Sequence, residues 1–328
     1  MILILIEMLQ RDIASIITPA APSDIGSRAL GHAYGLAALI SVIPERPLYV
    51  SYDVSAKVLD IAIQLLKRAG EHDLHVAGVE VEVSWTSIAS LMALGPNFVR
   101  PHLPQLLVLW RNALPKPTSK DSASGVGRSV AEWMFLLRVR ESALGAILCF
   151  LQHNSSTLVT LDVGRRIASV LSNALTFANN FLNQHIDDST AESQNPTAIV
   201  NKGLSLHASE ALLRRRVYQC FTSLGFSSIT DSTQAALLQS VVSLFASPDG
   251  YTGSSVQAAI ASSSGMFTTV WQSVDGYAYG VTSIDVVDFG CNLNRDDDPS
   301  RSKDHLNRDT VEVSIDAMVC FILLSLDL

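Results

Sequence analysis

Apolar residues recur at helical spacing along most of this chain, and clusters of Pro, Gly and Ser interrupt them at short intervals. From Asp53 to Arg68, for example, Val54, Val58 and Leu65 fall on one side of a helix. The residues do not follow the alternation of apolar and polar side chains that indicates a half-buried strand. Because a helix with one apolar side buries that side against other helices, the sequence predicts an all-α fold.

The interruptions divide the chain into short helices connected by turns. We predict helices at Ile2–Ile17, Ser23–Val42, Asp53–Arg68, Val79–Leu94, Pro101–Leu114, Ser129–Gln152, Leu158–Gln184, Thr197–Leu206, Ser209–Leu224, Ser232–Phe245 and Ser254–Trp271. They begin about every 20 residues and pair at about 40–50 residues per unit, which is the spacing of HEAT and armadillo repeats. The units share little similarity with one another, so a globular helical domain stays open as the alternative. We expect a HEAT/armadillo-like α-solenoid of antiparallel helix pairs.

The character of the sequence changes near its C-terminal end. Residues 1–271 form the predicted HEAT-type helical solenoid, with polar loops at 115–128 and 183–196. Residues 272–310 are first rich in Gly, Tyr and Val and then charged, and we expect an irregular, mobile segment there. Residues 311–328 form a terminal apolar segment that could be helical, although it is rich in β-branched residues.

The composition supports a large core and limits the classes of function. Of the 328 residues 48% are hydrophobic and 16% charged, and the mean hydropathy is +0.28, which is enough for continuous packing. The formal net charge of −8 opposes binding to a phosphate backbone, so we expect no nucleic-acid partner. The widely spaced cysteines are typical of a reducing compartment. No apolar run reaches the about 18–20 residues of a membrane span, and the N-terminal segment lacks the basic region of a signal peptide. We therefore expect a cytosolic protein without a transmembrane segment.

Two segments contain residue types that bind metals in other proteins. Glu71–His75 gathers carboxylates and imidazoles in an interhelical turn, but a zinc site needs a further ligand fixed nearby, so a solvated loop is the better interpretation. Asn292–Asp298 resembles a calcium loop but lacks its Gly and its final Glu. We therefore expect no catalytic, metal or cofactor site, and we interpret the chain as a protein that is not an enzyme.

A run of three arginines, Arg214, Arg215 and Arg216, forms a local basic region in an acidic chain. Such a run on a helix is usually a solvated face. The alternative is a contact with an acidic partner or with a lipid headgroup.

The segment from Leu94 to Pro115 combines Gly-Pro, Leu-Pro and Leu-Trp-Arg in an order that generic helical repeats do not share. It resembles the HEAT-repeat-containing protein five family, whose fungal members are known as large clathrin-adaptor accessory proteins. Supporting matches lie at residues 31–39, 46–49, 85–92 and 140–147. The resemblance covers about residues 25 to 185 well and continues more loosely to about residue 280.

The resemblance implies a non-catalytic scaffold in vesicle-mediated transport. It would support clathrin-adaptor function in retrograde transport from endosome to Golgi and in endocytosis, including protein localisation. It would work from the cytosol, peripheral at trans-Golgi and endosomal membranes, through clathrin-adaptor subunits or their accessory factors. A HEAT-array scaffold unrelated to adaptors is the alternative.

Family members are several times longer than this chain, which implies an incomplete solenoid. Ile2 to Leu9 and Met318 to Leu324 are apolar on every side, so we expect the chain to self-associate.

Overall fold

The structure is a computed structural model that describes residues 2–18, 22, 24–45, 52–118, 128–182 and 206–224. Within these residues the regular structure is helical throughout, with no strand, so the all-α prediction is confirmed for this part of the chain. The helices are α1 (Ile2–Ile16), α2 (Ile25–Ser41), α3 (Tyr52–Arg68), α4 (Leu74–Met92), α5 (Pro96–Ala113), α6 (Val130–Leu158), α7 (Leu161–Leu182) and α8 (Leu206–Leu224). Short 3-10 turns follow α2 at Ile43–Glu45 and α3 at Ala69–Glu71.

The helices pack as two layers. In one layer, which we call the inner layer, α2 packs against α4, α4 against α6, and α6 against α8. In the other, the outer layer, each odd-numbered helix packs on the even-numbered helix that follows it. Helices α5 and α7 of the outer layer also contact each other. The described residues therefore form four consecutive helical hairpins, each lying beside the next.

Neighbouring helices of the inner layer run in the same direction. The residue numbers of their contacting pairs increase together along both helices. Between α4 and α6 the contacts are Gly78 with Phe135, Glu82 with Arg138, and Met92 with Asn154. Between α6 and α8 they are Met134 with Ser209, Glu141 with Arg216, and Leu144 with Cys220. The two helices of the first hairpin are antiparallel, since Ile16 lies near Gly26 and Leu5 near Gly35.

Burial differs between the layers for a simple geometric reason. Helices α4 and α6 of the inner layer each have two inner neighbours and a hairpin partner, so apolar side chains are needed on most of their sides. In α6 every residue from Ala143 to Leu151 is buried. A helix of the outer layer has fewer neighbours, and α5 buries a single stripe. That stripe consists of Phe98, Val99, Leu103, Leu106 and Trp110.

The sequence pattern identified most of the expected core residues. The apolar pattern predicts burial between helices for Trp85, Leu91, Leu107, Trp110, Leu144 and Ile147, and all of these except Leu107 are buried. Leu107 is only half-buried, because it packs at the edge of the core rather than within it.

Two helices begin earlier than the sequence pattern predicts. Helix α4 begins at Leu74 rather than Val79, because Asp73 Oδ1 accepts hydrogen bonds of 3.0 Å from the backbone N–H groups of His75 and Val76 and so caps the helix. Helix α5 begins at Pro96 rather than Pro101. Gly95 precedes it with a φ of 86°, a left-handed conformation that glycine adopts without strain, and proline is well suited to the first position of a helix.

Several sequence predictions fall outside the described residues. They are the loop at 183–196, the helix at Thr197–Leu206 apart from its last residue, the helices at Ser232–Phe245 and Ser254–Trp271, and the segments 272–310 and 311–328. Of the loop at 115–128, residues 115–118 and 128 are non-helical as predicted. None of the described helices is both long enough and apolar enough to span a bilayer.

Candidate interaction surface

The three arginines that the sequence marks as a candidate contact lie inside the fold. Arg214, Arg215 and Arg216 on α8 are 3%, 2% and 1% exposed. Helix α8 packs against both α6 and α7, so side chains on most of its sides meet protein. The expectation of a solvent-facing basic run is therefore wrong, and these residues do not offer a charged surface to a partner or to a lipid headgroup.

Hydrogen-bond acceptors on three helices explain how Arg214 and Arg216 tolerate burial. Nε and Nη2 of Arg214 donate to Oε1 of Glu210 at 3.0 and 2.8 Å, and Nη1 donates to Oδ1 of Asn179 on α7 at 2.7 Å. Nε of Arg216 donates to Oε1 of Glu141 on α6 at 2.8 Å. Burial alone would lower the pKa of Arg214, but the adjacent Glu210 carboxylate raises it above its ordinary value. The run thus joins α8 to α6 and α7.

A buried carboxylate connects the two helices of the first hairpin. Asp12 on α1 is 0% exposed. Arg28 Nη2 donates to its Oδ1 at 2.8 Å, and His32 Nδ1 lies 2.8 Å from Oδ2 without a well-aligned hydrogen bond. The side chain of Arg28 remains about half exposed. Water therefore still hydrates the positive charge that pairs with Asp12, which lowers the cost of burying the carboxylate.

The second hairpin repeats this arrangement with Glu80 of α4 in place of the aspartate. Glu80 is 0% exposed, Arg68 Nη2 donates to its Oε1 at 3.2 Å, and His72 Nδ1 lies 2.8 Å from Oε2. In both hairpins the arginine precedes the histidine by four residues. His72 and Asp73, which the sequence assigned to a solvated loop, thus have structural roles as an ion-pair partner and a helix cap. Within the described residues no cluster of three or more His, Cys, Asp or Glu side chains could hold a metal ion.

A third carboxylate connects three helices of the inner layer. The hydroxyl of Tyr34 on α2 donates to Oε1 of Glu82 on α4 at 3.2 Å. Nε of Arg138 on α6 lies 3.1 Å from Oε2 of the same residue. Glu82 therefore stabilises the stacking of consecutive hairpins, whereas Asp12 and Glu80 act within a hairpin.

Charge is most unevenly distributed on the solvent side of α5. We define the α5 outer face as its exposed residues, which are Asn97, Arg100, Pro101, Pro104, Gln105, Val108, Arg111 and Asn112. No Asp or Glu occurs between Glu82 and Asp121, so this face carries positive charge without internal compensation. The solvent side of α3, in contrast, mixes Asp53 and Asp60 with Lys57 and Lys67.

The two arginines of the α5 outer face have no ion-pair partner among the described residues. Arg100 and Arg111 stand eleven residues apart, which is about three helical turns, so both side chains leave the same side of α5 about 16 Å from each other. Val108 lies between them and is 56% exposed. Lys116, exposed just beyond the helix, extends the positive charge.

Helix α7 lies beside α5 in the outer layer. The amide nitrogen of Asn173 donates to the carbonyl oxygen of Leu114 at 3.2 Å and holds α7 against the C-terminal end of α5. Arg165 on α7 is exposed and has no ion-pair partner in the part of the chain that the structure describes, whereas Arg166 pairs with Asp162 at 2.9 Å.

The sequence interpretation missed the α5 outer face because it used the apolar residues of this segment alone. The signal was present in the stretch without Asp or Glu, but its meaning depends on which side of α5 is buried. The arginine triplet was the more conspicuous basic feature, and only the packing shows that it is internal.

No model of a known protein family matches this chain, and no solved structure matches it. Its function is therefore inferred from the packing of the hairpins, from burial and from the charge of the exposed helix faces.

Proposed function

We propose that this chain is a HEAT-type α-solenoid scaffold that holds partner proteins and has no catalytic role. The observation that carries the proposal is the parallel direction of the inner helices. Because α4, α6 and α8 are related by contacts that ascend in step, each hairpin repeats the orientation of the one before it. Repetition of one hairpin orientation is how helical repeats build a solenoid, and its extended surface suits protein partners.

The polar contacts support the same architecture. Asp12 and Glu80 act within hairpins, and Glu82 and the pair of Glu141 with Arg216 act between them. In a solenoid, stability is approximately a sum of terms within repeats and terms between neighbouring repeats. The ion pairs of this chain likewise form one group within hairpins and one group between neighbouring hairpins.

Removal of the first hairpin tests the solenoid. A chain that lacks residues 1–45 should lose helical circular dichroism roughly in proportion to the helix removed, because the remaining hairpins depend on their nearest neighbours only. Unfolding of the whole chain after this deletion would indicate a globular helical domain with a single shared core.

The resemblance of the segment from Leu94 to Pro115, which contains α5, supports a more specific role. We propose that the scaffold supports clathrin-adaptor function in retrograde and endocytic traffic. It would be cytosolic and would reach trans-Golgi and endosomal membranes through its partners.

Co-precipitation tests this role. The tagged chain should enrich clathrin-adaptor subunits or their accessory factors from cell extract, compared with an equally expressed HEAT-repeat nuclear transport receptor as control. Equal recovery of adaptor subunits with both baits would contradict the adaptor assignment. Specific enrichment of other proteins would favour a HEAT-array scaffold unrelated to adaptors.

A further inference from the structure

We propose that the α5 outer face is the docking surface for an acidic, extended peptide segment of a partner protein. The proposal rests on the scaffold function above and specifies where and what the scaffold binds. It is carried by the exposed, uncompensated arginines of α5, by their spacing, and by the apolar side chain between them.

The positive charge of this face has no complete structural explanation. Arg111 lies in the last turn of α5, where a cation interacts favourably with the helix dipole. Arg100 lies near the opposite, positive end of the helix, where the dipole disfavours a cation. Two other arginines that reach solvent are paired, Arg28 with Asp12 and Arg138 with Glu82. On α5, in contrast, neither arginine has a carboxylate partner among the described residues. Arg100 and Arg111 thus present guanidinium groups that an external carboxylate can bind.

The spacing of the two arginines specifies the ligand. An extended peptide advances about 3.3 Å per residue and alternates its side chains between two faces, so carboxylates four residues apart lie on one face about 13 Å from each other. Two long, flexible arginine side chains that leave α5 about 16 Å apart can reach carboxylates at this separation. An apolar residue between these carboxylates would lie over Val108, which is 56% exposed, and beside Pro104. The expected motif is therefore an acidic residue, an apolar residue near the centre, and a second acidic residue.

Two prolines suit α5 to this task. Pro101 and Pro104 have no backbone N–H, so the carbonyl oxygens of Asn97 and Arg100 receive no helical hydrogen bond from them. Both prolines and both of these residues are exposed. The face therefore combines guanidinium donors with backbone acceptors, which can accept from the N–H groups of an extended peptide.

Charge density favours a peptide over a membrane surface. Recognition of anionic lipids by a soluble surface usually involves clusters of about 4–8 lysines and arginines, each contributing a small attraction. The α5 outer face has two arginines in line, with Lys116 just beyond the helix. Two guanidinium groups at a fixed separation fit two carboxylates better than a diffuse layer of headgroups.

Fluorescence anisotropy with the full chain tests the proposal. The probe is a fluorescein-labelled ten-residue peptide with glutamates four positions apart and a leucine midway between them, so that all three side chains share one face of the extended peptide. Comparison peptides carry glutamines at these positions, or two adjacent glutamates. We expect the spaced peptide to bind the most tightly and to weaken with added salt.

Charge reversal identifies the surface. The double variant R100E/R111E should weaken binding of the spaced peptide at least about tenfold, since it replaces two attractions with two repulsions. The matched control R11E/K57E changes the net charge equally on the exposed sides of α1 and α3 and should change affinity less than about twofold. The neutral variant R100Q/R111Q provides a second measurement if charge reversal disturbs folding, which far-ultraviolet circular dichroism reports.

Equal losses in R100E/R111E and R11E/K57E, or no loss in R100E/R111E, would overturn the proposal. So would equal binding of the spaced and adjacent-glutamate peptides. Arginine-dependent binding to phosphatidylserine vesicles without binding of the spaced peptide would replace the peptide by a lipid surface. If adaptor subunits still co-precipitate with R100E/R111E, the scaffold function stands and this docking surface is wrong.

Discussion

Nδ2 of Asn154 donates a hydrogen bond of 2.9 Å to the carbonyl oxygen of Met92. Met92 is the last residue of α4, and its carbonyl accepts only a long hydrogen bond of 3.4 Å from the backbone N–H of Gly95 in the turn that follows. Asn154 lies on α6 and is 1% exposed. One hairpin thus satisfies a buried backbone group at the end of the preceding hairpin, which makes their relative position specific.

The first prediction concerns this contact. Asn154→Ala should lower the free energy of unfolding by about 1 kcal/mol, because the buried Met92 carbonyl then keeps only the 3.4 Å hydrogen bond from Gly95. The matched control Asn112→Ala, on the exposed side of α5, should change it by less than about 0.5 kcal/mol. Urea denaturation measures both values. Equal effects of the two substitutions would show that the contact between hairpins is not stabilising.

The second prediction concerns the packing of α5 on α6. The ring centroids of Trp110 and Phe150 lie 5.4 Å apart at an interplanar angle of 55°, and Trp110 is 1% exposed. Trp110→Ala should therefore lower the free energy of unfolding by about 3–5 kcal/mol, since it leaves a cavity in the core. Val108→Ala on the exposed side of the same helix should have an effect below about 1 kcal/mol. A comparably small effect of Trp110→Ala in urea denaturation would place the indole at the surface.

The sequence pattern predicted the helices well where a stripe of buried apolar residues alone marks where they begin and end. The start of α4 was missed because Asp73 was grouped with its neighbours Glu71 and His75 in a polar turn. A capping hydrogen bond depends on backbone geometry, and Asp is equally common in turns. Similarly, Pro101 suggested a helix start, whereas it lies within α5 on the exposed side.

The candidate site could be predicted less well, because the role of a charged residue depends on what faces it. Arg214 and Arg100 are both arginines on helices. Glu210 and Asn179 surround the first, and solvent surrounds the second. Asn179 lies 35 residues before Arg214 in the sequence. The apolar periodicity of α8 alone therefore cannot identify Asn179 as a partner of Arg214.

The third prediction concerns the buried carboxylate of the second hairpin. Glu80→Gln keeps the side-chain volume but removes the charge that attracts Arg68 and His72. Because Arg68 is 47% exposed and can be hydrated, the expected loss is about 1–3 kcal/mol rather than the larger value of a fully buried pair. Glu71→Gln, in the exposed turn, is the control. Thermal unfolding in which both variants match the unmodified chain would contradict a stabilising role for Glu80.

The fourth prediction concerns the thiols between α6 and α8. Burial raises the pKa of Cys220 well above its usual range, the nearby Arg216 opposes this, and Cys149 adds to it. The thiolate is the reactive form, so Cys220 should stay unmodified by iodoacetamide at neutral pH in the folded chain. In urea it should be alkylated. Mass spectrometry of the peptide that contains Cys220 measures the difference, and rapid alkylation without urea would show that α8 separates easily from α6.

The last prediction concerns the solvent side of α1. Leu3 and Ile4 are 54% and 60% exposed, while the opposite side of the helix packs on α2. Adjacent exposed aliphatic side chains favour association, because contact between two copies removes apolar surface from water. We therefore expect the purified chain to self-associate at roughly tens of micromolar. Sedimentation velocity measures this as a distribution of sedimentation coefficients that extends above that of the monomer.

Substitutions on α1 test the cause of this association. The double variant L3E/I4K leaves the net charge unchanged and should reduce the sedimentation coefficient toward that of a monomer. Leu5 is a poorer choice than Leu3, since it is half-buried beside Gly35 and its replacement would disturb the hairpin. Val108→Glu introduces a charge at an equally exposed aliphatic position on α5 and should leave the association unchanged. A monodisperse monomer of the unmodified chain, or equal effects of L3E/I4K and Val108→Glu, would show that this side of α1 does not drive association.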